Sequence, residues 1–216
     1  MAEVPAQPKI YHITHIDNLD QILSNQKLWS DAWRLGQDLD CKIIGMSDIK
    51  LRRLKELEVH CHLGTTVGQY VPFYFCPRSI MLYIMYKGNH PNVTYRGGQG
   101  PILHLQADLN STVQWANQCG IPWAFTDRNA GDLLANFYND LSCLAQINWA
   151  AVAATDFRNM LISVGKQAEF LMYESFPWKL IEKIGVISEQ RKEQVLHKLE
   201  HTTIPLVSVE KTWYYG

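Results

Sequence analysis

The segments of this chain best suited to form β-strands are short, and they do not alternate with helices in a regular rhythm. IYHIT (10–14), VPFYF (71–75), ILHLQ (102–106), WAFT (123–126), AEFLMYE (168–174), LIEKIGVIS (180–188) and PLVSVEKTWYY (205–215) are rich in β-branched and aromatic residues. Helical spacing of apolar residues predicts helices over 18–27, 48–58, 79–87 and 189–201, and a mostly helical 131–150. Asp17 reads as the N-cap of the first of these and Ser47 as that of the second. Residues 30–46, with Gly36 and Gly45, read as a loop. Parallel sheets need a crossover between successive strands and so repeat βαβ units; that order is missing here. The pattern predicts an α+β fold with a largely antiparallel sheet. Pro72 cannot donate to a ladder, so VPFYF reads as an edge or the start of a strand.

No internal repeat and no Pro/Gly/Ser linker divides the 216 residues, which are 47% hydrophobic and 19% charged. That is enough chain to bury a sizeable core, and one domain over 1–216 is expected. The net charge is −1, so any contact with nucleic acid must come from a local basic patch. No run of about eighteen apolar residues exists to cross a membrane, and MAEVPAQPKIYHITH lacks the make-up of a signal peptide. The five cysteines form no CxxC pair and read as reduced thiols, which points to the cytoplasm.

Several stretches carry chemistry on paper. His60-Cys61-His62 has metal-binding residue types but no second spaced pair, and a structural role is expected. Gly97-Gly98-Gln99-Gly100 precedes a strand instead of opening a helix and lacks a Lys-Ser/Thr ending, so it reads as a turn. In Tyr11-His12-Ile13-Thr14-His15 the alternation of a strand puts His12 and Thr14 on one face. An imidazole, a hydroxyl and the strand's own amides there suit a flat amide and a ribose. Lys50, Arg52, Arg53 and Lys55 form a basic run. Arg53 lies one turn from Ile49 and Leu57 and can turn inward, where its guanidinium would offer a fork to phosphate or carboxylate. Asp127-Arg128 directly follows the strand WAFT. Glu169 sits inside a strand that otherwise reads as buried, where an unpaired carboxylate is costly.

YHITHIDNL (11–19), IKLRR (49–53), YVPFYFCPRSIMLY (70–83), GGQGPILHL (97–105), FTDR (125–128), KQAEFLMYESFPW (166–178) and the terminal WYY together resemble the DarT family, over nearly the whole chain. These are toxin enzymes that ADP-ribosylate bases of single-stranded DNA with NAD as substrate. The resemblance is strongest to the branch that modifies a thymidine ring nitrogen within a short motif. It implies an ADP-ribosyltransferase-like fold, a split and mostly antiparallel mixed sheet with flanking helices and an NAD cleft.

By resemblance, His12, the backbone at Ile13, and Thr14 hold the nicotinamide end of NAD. Gln21, Trp29 and Arg53 also contact the dinucleotide. Arg53 and Glu169 match the catalytic arginine and glutamate. Tyr74 and Met81 lie near the nicotinamide and the incoming base, with Arg128 and Asn129 on the DNA side. Close relatives carry a histidine where this chain has Asn129. Residues 36–53 would form an NAD-binding element and 127–169 a substrate-recognition loop. No metal is implied. The implied partners are single-stranded DNA and an antitoxin with a de-ADP-ribosylating macrodomain; no membrane is involved. The rival expectations are transfer to guanine or protein, and a non-enzymatic module that binds NAD or nucleic acid.

Overall fold

The structure is a computed structural model and describes residues 3–37, 39, 41–199 and 205–216. Ten strands and eight α-helices are found among the described residues. The strands are β1 Lys9–His15, β2 Lys27–Trp29, β3 Tyr70–Tyr74, β4 Ile102–Asp108, β5 Trp123–Thr126, β6 Phe137–Tyr138, β7 Glu169–Tyr173, β8 Ser175–Pro177, β9 Ile181–Val186 and β10 Leu206–Val209. The helices are α1 Leu19–Asn25, α2 Asp31–Gly36, α3 Ser47–Lys55, α4 Ile80–Lys87, α5 Leu109–Cys119, α6 Trp149–Ala153, α7 Met160–Gly165 and α8 Glu189–Lys198.

Eight strands form one sheet in the order β10-β9-β4-β1-β3-β7-β5-β6, and β2 pairs with β8 apart from it. Every pairing in both sheets is antiparallel except β10 with β9. This is the α+β, mostly antiparallel arrangement expected from the irregular order of elements. The main core is built from Ile10, Phe73, Leu103, Leu105, Phe125, Phe170 and Ile184 with residues of α1, α5 and α8.

The sheet is split at its centre. β1 pairs with β4 along its whole length, from Lys9↔Asp108 to His15↔Ile102, but meets β3 only at Tyr11↔Tyr74. Pro72 accounts for this. The Tyr173 N–H bonds Pro122, on the β5 side, so Tyr70, Pro72 and Tyr74 face β7 as non-hydrogen-bonded partners. The missing N–H of Pro72 therefore falls toward β1, where it cannot extend the ladder. Its carbonyl accepts a hydrogen bond from the His12 ring instead (Nδ1 to O, 2.8 Å). VPFYF is thus an interior strand, with its defect turned to the split.

Other expectations are corrected. Residues 131–150 are not mostly helical: they hold β6, a 3-10 segment over Leu141–Gln146 and the start of α6. Asp17 is not an N-cap. The chain enters a 3-10 turn, Ile16–Asn18, capped by the His15 ring accepting from the Asp17 N–H, before α1 begins. α2 lies inside the expected loop 30–46, opened by Ser30 accepting from the Trp33 N–H. The terminal strand is only four residues long, followed by a 3-10 turn over Lys211–Trp213. α3 starts with Met46 at its N-cap position. The expected helix over 189–201 and strand over 205–215 extend to or border residues 200–204, which lie outside the described residues. Gly98 takes a positive φ in a turn before β4.

Candidate active site

The split between β1 and β3 opens into a cleft of about 270 Å³, walled by β1, α1, β2, residues 41–46, α3, the end of β3 and α4. His12, Ile13, Thr14, Gln21, Trp29, Arg53, Tyr74, Met81 and Asn129 all line it. Residues from both ends of the sequence meet here because β1 and β7 flank β3 in the sheet.

Arg53 and Glu169, 116 residues apart, form a bidentate ion pair at the head of the cleft. Arg53 Nη1 lies 3.2 Å from Glu169 Oε1 and Nη2 lies 2.8 Å from Oε2. The Ala130 N–H donates a third bond to Oε1 at 3.0 Å. Glu169 is only 1% exposed, and the guanidinium lies between its carboxylate and the cleft. Glu169 therefore reaches the cleft through Arg53 rather than facing it. Burial opposes the charge of Arg53, but the Glu169 carboxylate outweighs it and holds the guanidinium above its usual range.

The backbone beneath Glu169 is pinned by Thr126. Its hydroxyl accepts from the Glu169 N–H at 3.1 Å and donates to the Arg128 carbonyl at 2.6 Å. Asn129 holds the adjoining turn by accepting from the Gly131 N–H, and donates across to Gln167 Oε1 at 3.4 Å. Arg128 does not line the cleft. It lies against Asp127, whose carboxylate is also held by Asn136.

At the β1 end, the contact with the Pro72 carbonyl places a proton on His12 Nδ1 and leaves Nε2 as an acceptor. Burial lowers the His12 pKa, which keeps the ring neutral. Thr14 accepts from Asn18 Nδ2, and Asn18 also bonds both the N–H and the carbonyl of Lys42. One amide thereby ties β1 to the 41–46 segment. Tyr74 carries its hydroxyl beside the ion pair; burial, then the Glu169 charge, raise its pKa and keep it protonated.

The remaining wall is cationic. Lys27, Arg34, Lys42, Lys50 and Arg53 line the cleft, and among the described residues Asp31 is the only acidic one that does. Asp31 accepts from Lys50 Nζ at 2.9 Å and Arg34 Nη2 at 3.2 Å. Burial would raise its pKa, but these two cations bring it below the usual carboxylate range. Trp29 is stacked on Trp33 with ring planes 12° apart, lies under Lys27, and keeps its buried Nε1 without a partner. A cleft this positive, in a chain of net charge −1, suits a ligand with several phosphates.

Asn18, Asp31, Lys50 and Gln167 were not singled out as site residues from the sequence. The helical spacing that puts Lys50 on the same stripe as Arg53 was the available signal for one of them. His62 Nε2–H donates to the Trp123 carbonyl at 2.8 Å and the ring stacks near Tyr70, a structural role. Among the described residues no group of three His, Cys, Asp or Glu side chains is placed to hold a metal ion, and no helix is long and apolar enough to cross a membrane.

The family model described as "ssDNA thymidine ADP-ribosyltransferase, DarT" matches residues 11–215. A DNA ADP-ribosyl transferase of Thermus sp. (strain 2.9) is 41% identical over 215 residues, 98% of each chain. The structure of Thermus sp. 2.9 DarT in complex with ADP-ribosylated ssDNA superimposes with a TM-score of 0.89 at 40% identity, covering 99% of both chains. Thermus sp. 2.9 DarT in complex with NAD+ superimposes with a TM-score of 0.79 at 36% identity, covering 99% of this chain and 100% of that one. The split sheet, the cationic cleft and the Arg53–Glu169 pair belong to a chain that is a member of the DarT family of single-stranded-DNA thymidine ADP-ribosyltransferases.

Proposed function

We propose that this chain transfers ADP-ribose from NAD to a thymidine ring nitrogen in single-stranded DNA, with release of nicotinamide. The observation that carries the reading is the convergence of Arg53 and Glu169 at the head of one cationic cleft. Residues 1–216 act as one catalytic unit, with 36–53 as the NAD-binding element and 127–169 as the substrate-recognition segment.

His12 Nε2, the Ile13 backbone and Thr14 take the nicotinamide carboxamide and its ribose. Gln21 and Trp29 lie along the rest of the dinucleotide. Lys50 and Arg34, aligned by Asp31, balance the pyrophosphate. The bond from the ribose carbon to nicotinamide breaks, nicotinamide leaves as a neutral molecule with the bonding pair, and positive charge grows on the ribose. Glu169 stabilises that charge once a ligand draws Arg53 toward the cleft; a fixed carboxylate aimed at developing charge favours the transition state over the ground state.

The thymine nitrogen then bonds the ribose carbon and gives up its proton. A guanidinium held above its usual range is a poor proton acceptor. Arg53 is therefore assigned to stabilising the thymine anion, and Glu169 to taking the proton. Tyr74 and Met81 border the incoming base, with Asn129 and Arg128 on the DNA side. The base must be unstacked to enter the cleft, which costs least on a single strand. We place the enzyme in the cytoplasm, with a macrodomain antitoxin as its neutralising partner.

The test is incubation with NAD and a panel of short oligonucleotides, with the mass of each product read out. One ADP-ribose on thymidine-containing single strands, and far less on the matching duplex, is expected. Label on guanine or on protein alone, or equal label on duplex and single strand, would overturn the reading.

A further inference from the structure

α4 has two working sides. Ile80, Met81 and Ile84 line the cleft, while Tyr83 and Tyr86 face away from it and meet Phe157 and Tyr215. Tyr83 contacts Phe157 and Tyr215 edge-on, at ring-centre distances of 5.0 and 5.1 Å. Tyr86 stacks on Tyr215 with planes 24° apart and stays 42% exposed.

Two cations cover these rings. Lys87 Nζ sits 5.6 Å from the centre of Tyr83 and 5.5 Å from that of Tyr86. The Arg78 guanidinium sits 4.5 Å above Tyr215. Among the described residues neither has a carboxylate partner, and Arg78 Nε has no hydrogen-bond partner. By contrast Arg34, Arg52, Arg53, Arg128 and Arg158 each lie on a carboxylate.

The ledge and the cleft share α4, whose Ile80, Met81 and Ile84 line the cleft. Cys76, two residues before Arg78, contacts the carbonyl of Lys166, the residue before Gln167 at the cleft. Phe157 belongs to the same 127–169 segment as Asn129 and Gln167. The exposed ring of Tyr86 and the half-buried ring of Tyr83, beside unneutralised cations, match the two needs of a single-stranded nucleic acid, a π-face for the bases and positive charge for the phosphates.

We propose that the ledge of Arg78, Tyr83, Tyr86 and Lys87, buttressed by Phe157 and Tyr215, binds nucleotides flanking the target thymidine. Bases stack on Tyr86 and Tyr83, and Lys87 and Arg78 meet the phosphates. The inference rests on the reading of the cleft as a DNA-modifying site. Its consequence is that affinity for DNA grows with strand length beyond what the cleft itself holds.

The experiment compares KM for a thymidine oligonucleotide of about 4 nucleotides with KM for one of about 15, in wild type and in Tyr86→Ala/Lys87→Ala. The double variant is expected to raise KM for the long strand about tenfold, leave KM for the short strand in place, and flatten the salt dependence. An unchanged long-strand KM, as for a ledge that serves a protein partner, overturns the inference, and so does an equal rise for both lengths. Wild type that labels strands of neither length overturns the reading of the cleft together with the ledge. Wild-type protein photo-cross-linked to a strand bearing 5-bromouracil outside the target position gives a second readout free of any folding defect. Cross-links in the peptide spanning residues 78–87 are expected; cross-links confined to other peptides overturn the inference.

Discussion

The Arg53 guanidinium holds both carboxylate oxygens of Glu169 at 3.2 and 2.8 Å, and so shields the buried acid from the cleft. One contact joins a helix near the start of the chain to a strand near its end. On the proposed reading it also sets two opposing demands on Glu169, stability in the ligand-free fold and charge stabilisation during the reaction.

Glu169→Gln keeps the side chain's size and removes its charge. Transfer of ADP-ribose to DNA is expected to fall at least about a hundredfold, as when a group aimed at developing charge is removed. Thermal stability is expected to drop by about 2 kcal/mol. That is less than for a fully buried pair, because Arg53 can turn into the wet cleft. Initial rates and melting curves check both; wild-type rates in the variant would remove Glu169 from the chemistry.

Gly68 touches the site from behind. A Cβ there would meet the Leu54 Cα at 2.7 Å, and Leu54 is the neighbour of Arg53 in α3. Gly68→Ala is expected to push α3 outward, cost about 1–3 kcal/mol, and raise KM for NAD although Gly68 lies outside the cleft. Urea melts and NAD titration measure the two effects. A neutral substitution would mean that α3 yields without strain.

Acid is expected to destabilise the fold before most carboxylates titrate. Burial lowers His104 from 6.5 to about 4; its Nε2–H donates to the Pro77 carbonyl and its Nδ1 has no partner. The folded pKa lies below the unfolded one, so the unfolded chain binds more protons between those values. The stability is present in full above about pH 6.5 and is lost as pH falls toward 4, by roughly 3 kcal/mol for His104 alone. Burial also lowers His12 and His15, which adds loss of the same sign. His104→Gln should flatten the pH profile of stability across that window, and an unchanged slope would assign the loss to other groups.

Lys166 is 2% exposed, and its ammonium donates to the carbonyls of Val152 (3.1 Å) and Ala154 (2.8 Å) at the end of α6. Lys166→Met leaves these acceptors without their donor and is expected to cost about 1–3 kcal/mol. Lys166→Arg should recover part of it. Denaturant melts of the two variants side by side decide the point; equal stability of Lys166→Met and wild type would show that water replaces the ammonium.

Much of the frame was legible in local patterns. Most of the strands were marked by dense β-branched and aromatic runs, and α4 by its apolar content between Ser79 and Gly88. α5 was missed despite clear local signals, an Asp108 N-cap accepting from the Ser111 N–H and Gly120 in the left-handed conformation at its end; the other missed elements had weak or conflicting ones. β2 and β8 are three residues each and exist because they pair with one another, Leu28 opposite Phe176. α6 and α7 are short helices held by contact, where Gly165 lets the two backbones close on Ala151 and Asn148. The 131–150 segment holds apolar residues at helical spacing, yet Phe137 and Tyr138 are drawn out to pair with β5.

For the site, residue types and order were readable as a family pattern, and the strand alternation of His12 with Thr14 was readable from periodicity alone. The ionic partners of Arg53, Lys50 and Asp31 were not. Such pairs depend on which segments the sheet brings side by side, and no local rule encodes a separation of 116 residues.

The amino-acid order by itself determined the local elements, the missing donor at Pro72 and the family pattern, because propensity, periodicity and side-chain chemistry act over a few neighbouring residues. The tertiary structure decided that β1 and β7 flank β3, that Pro72 turns its defect toward the split, and that Arg53 covers Glu169. Those outcomes come from burying the apolar faces of many strands and helices at once, a many-body packing that no single stretch specifies.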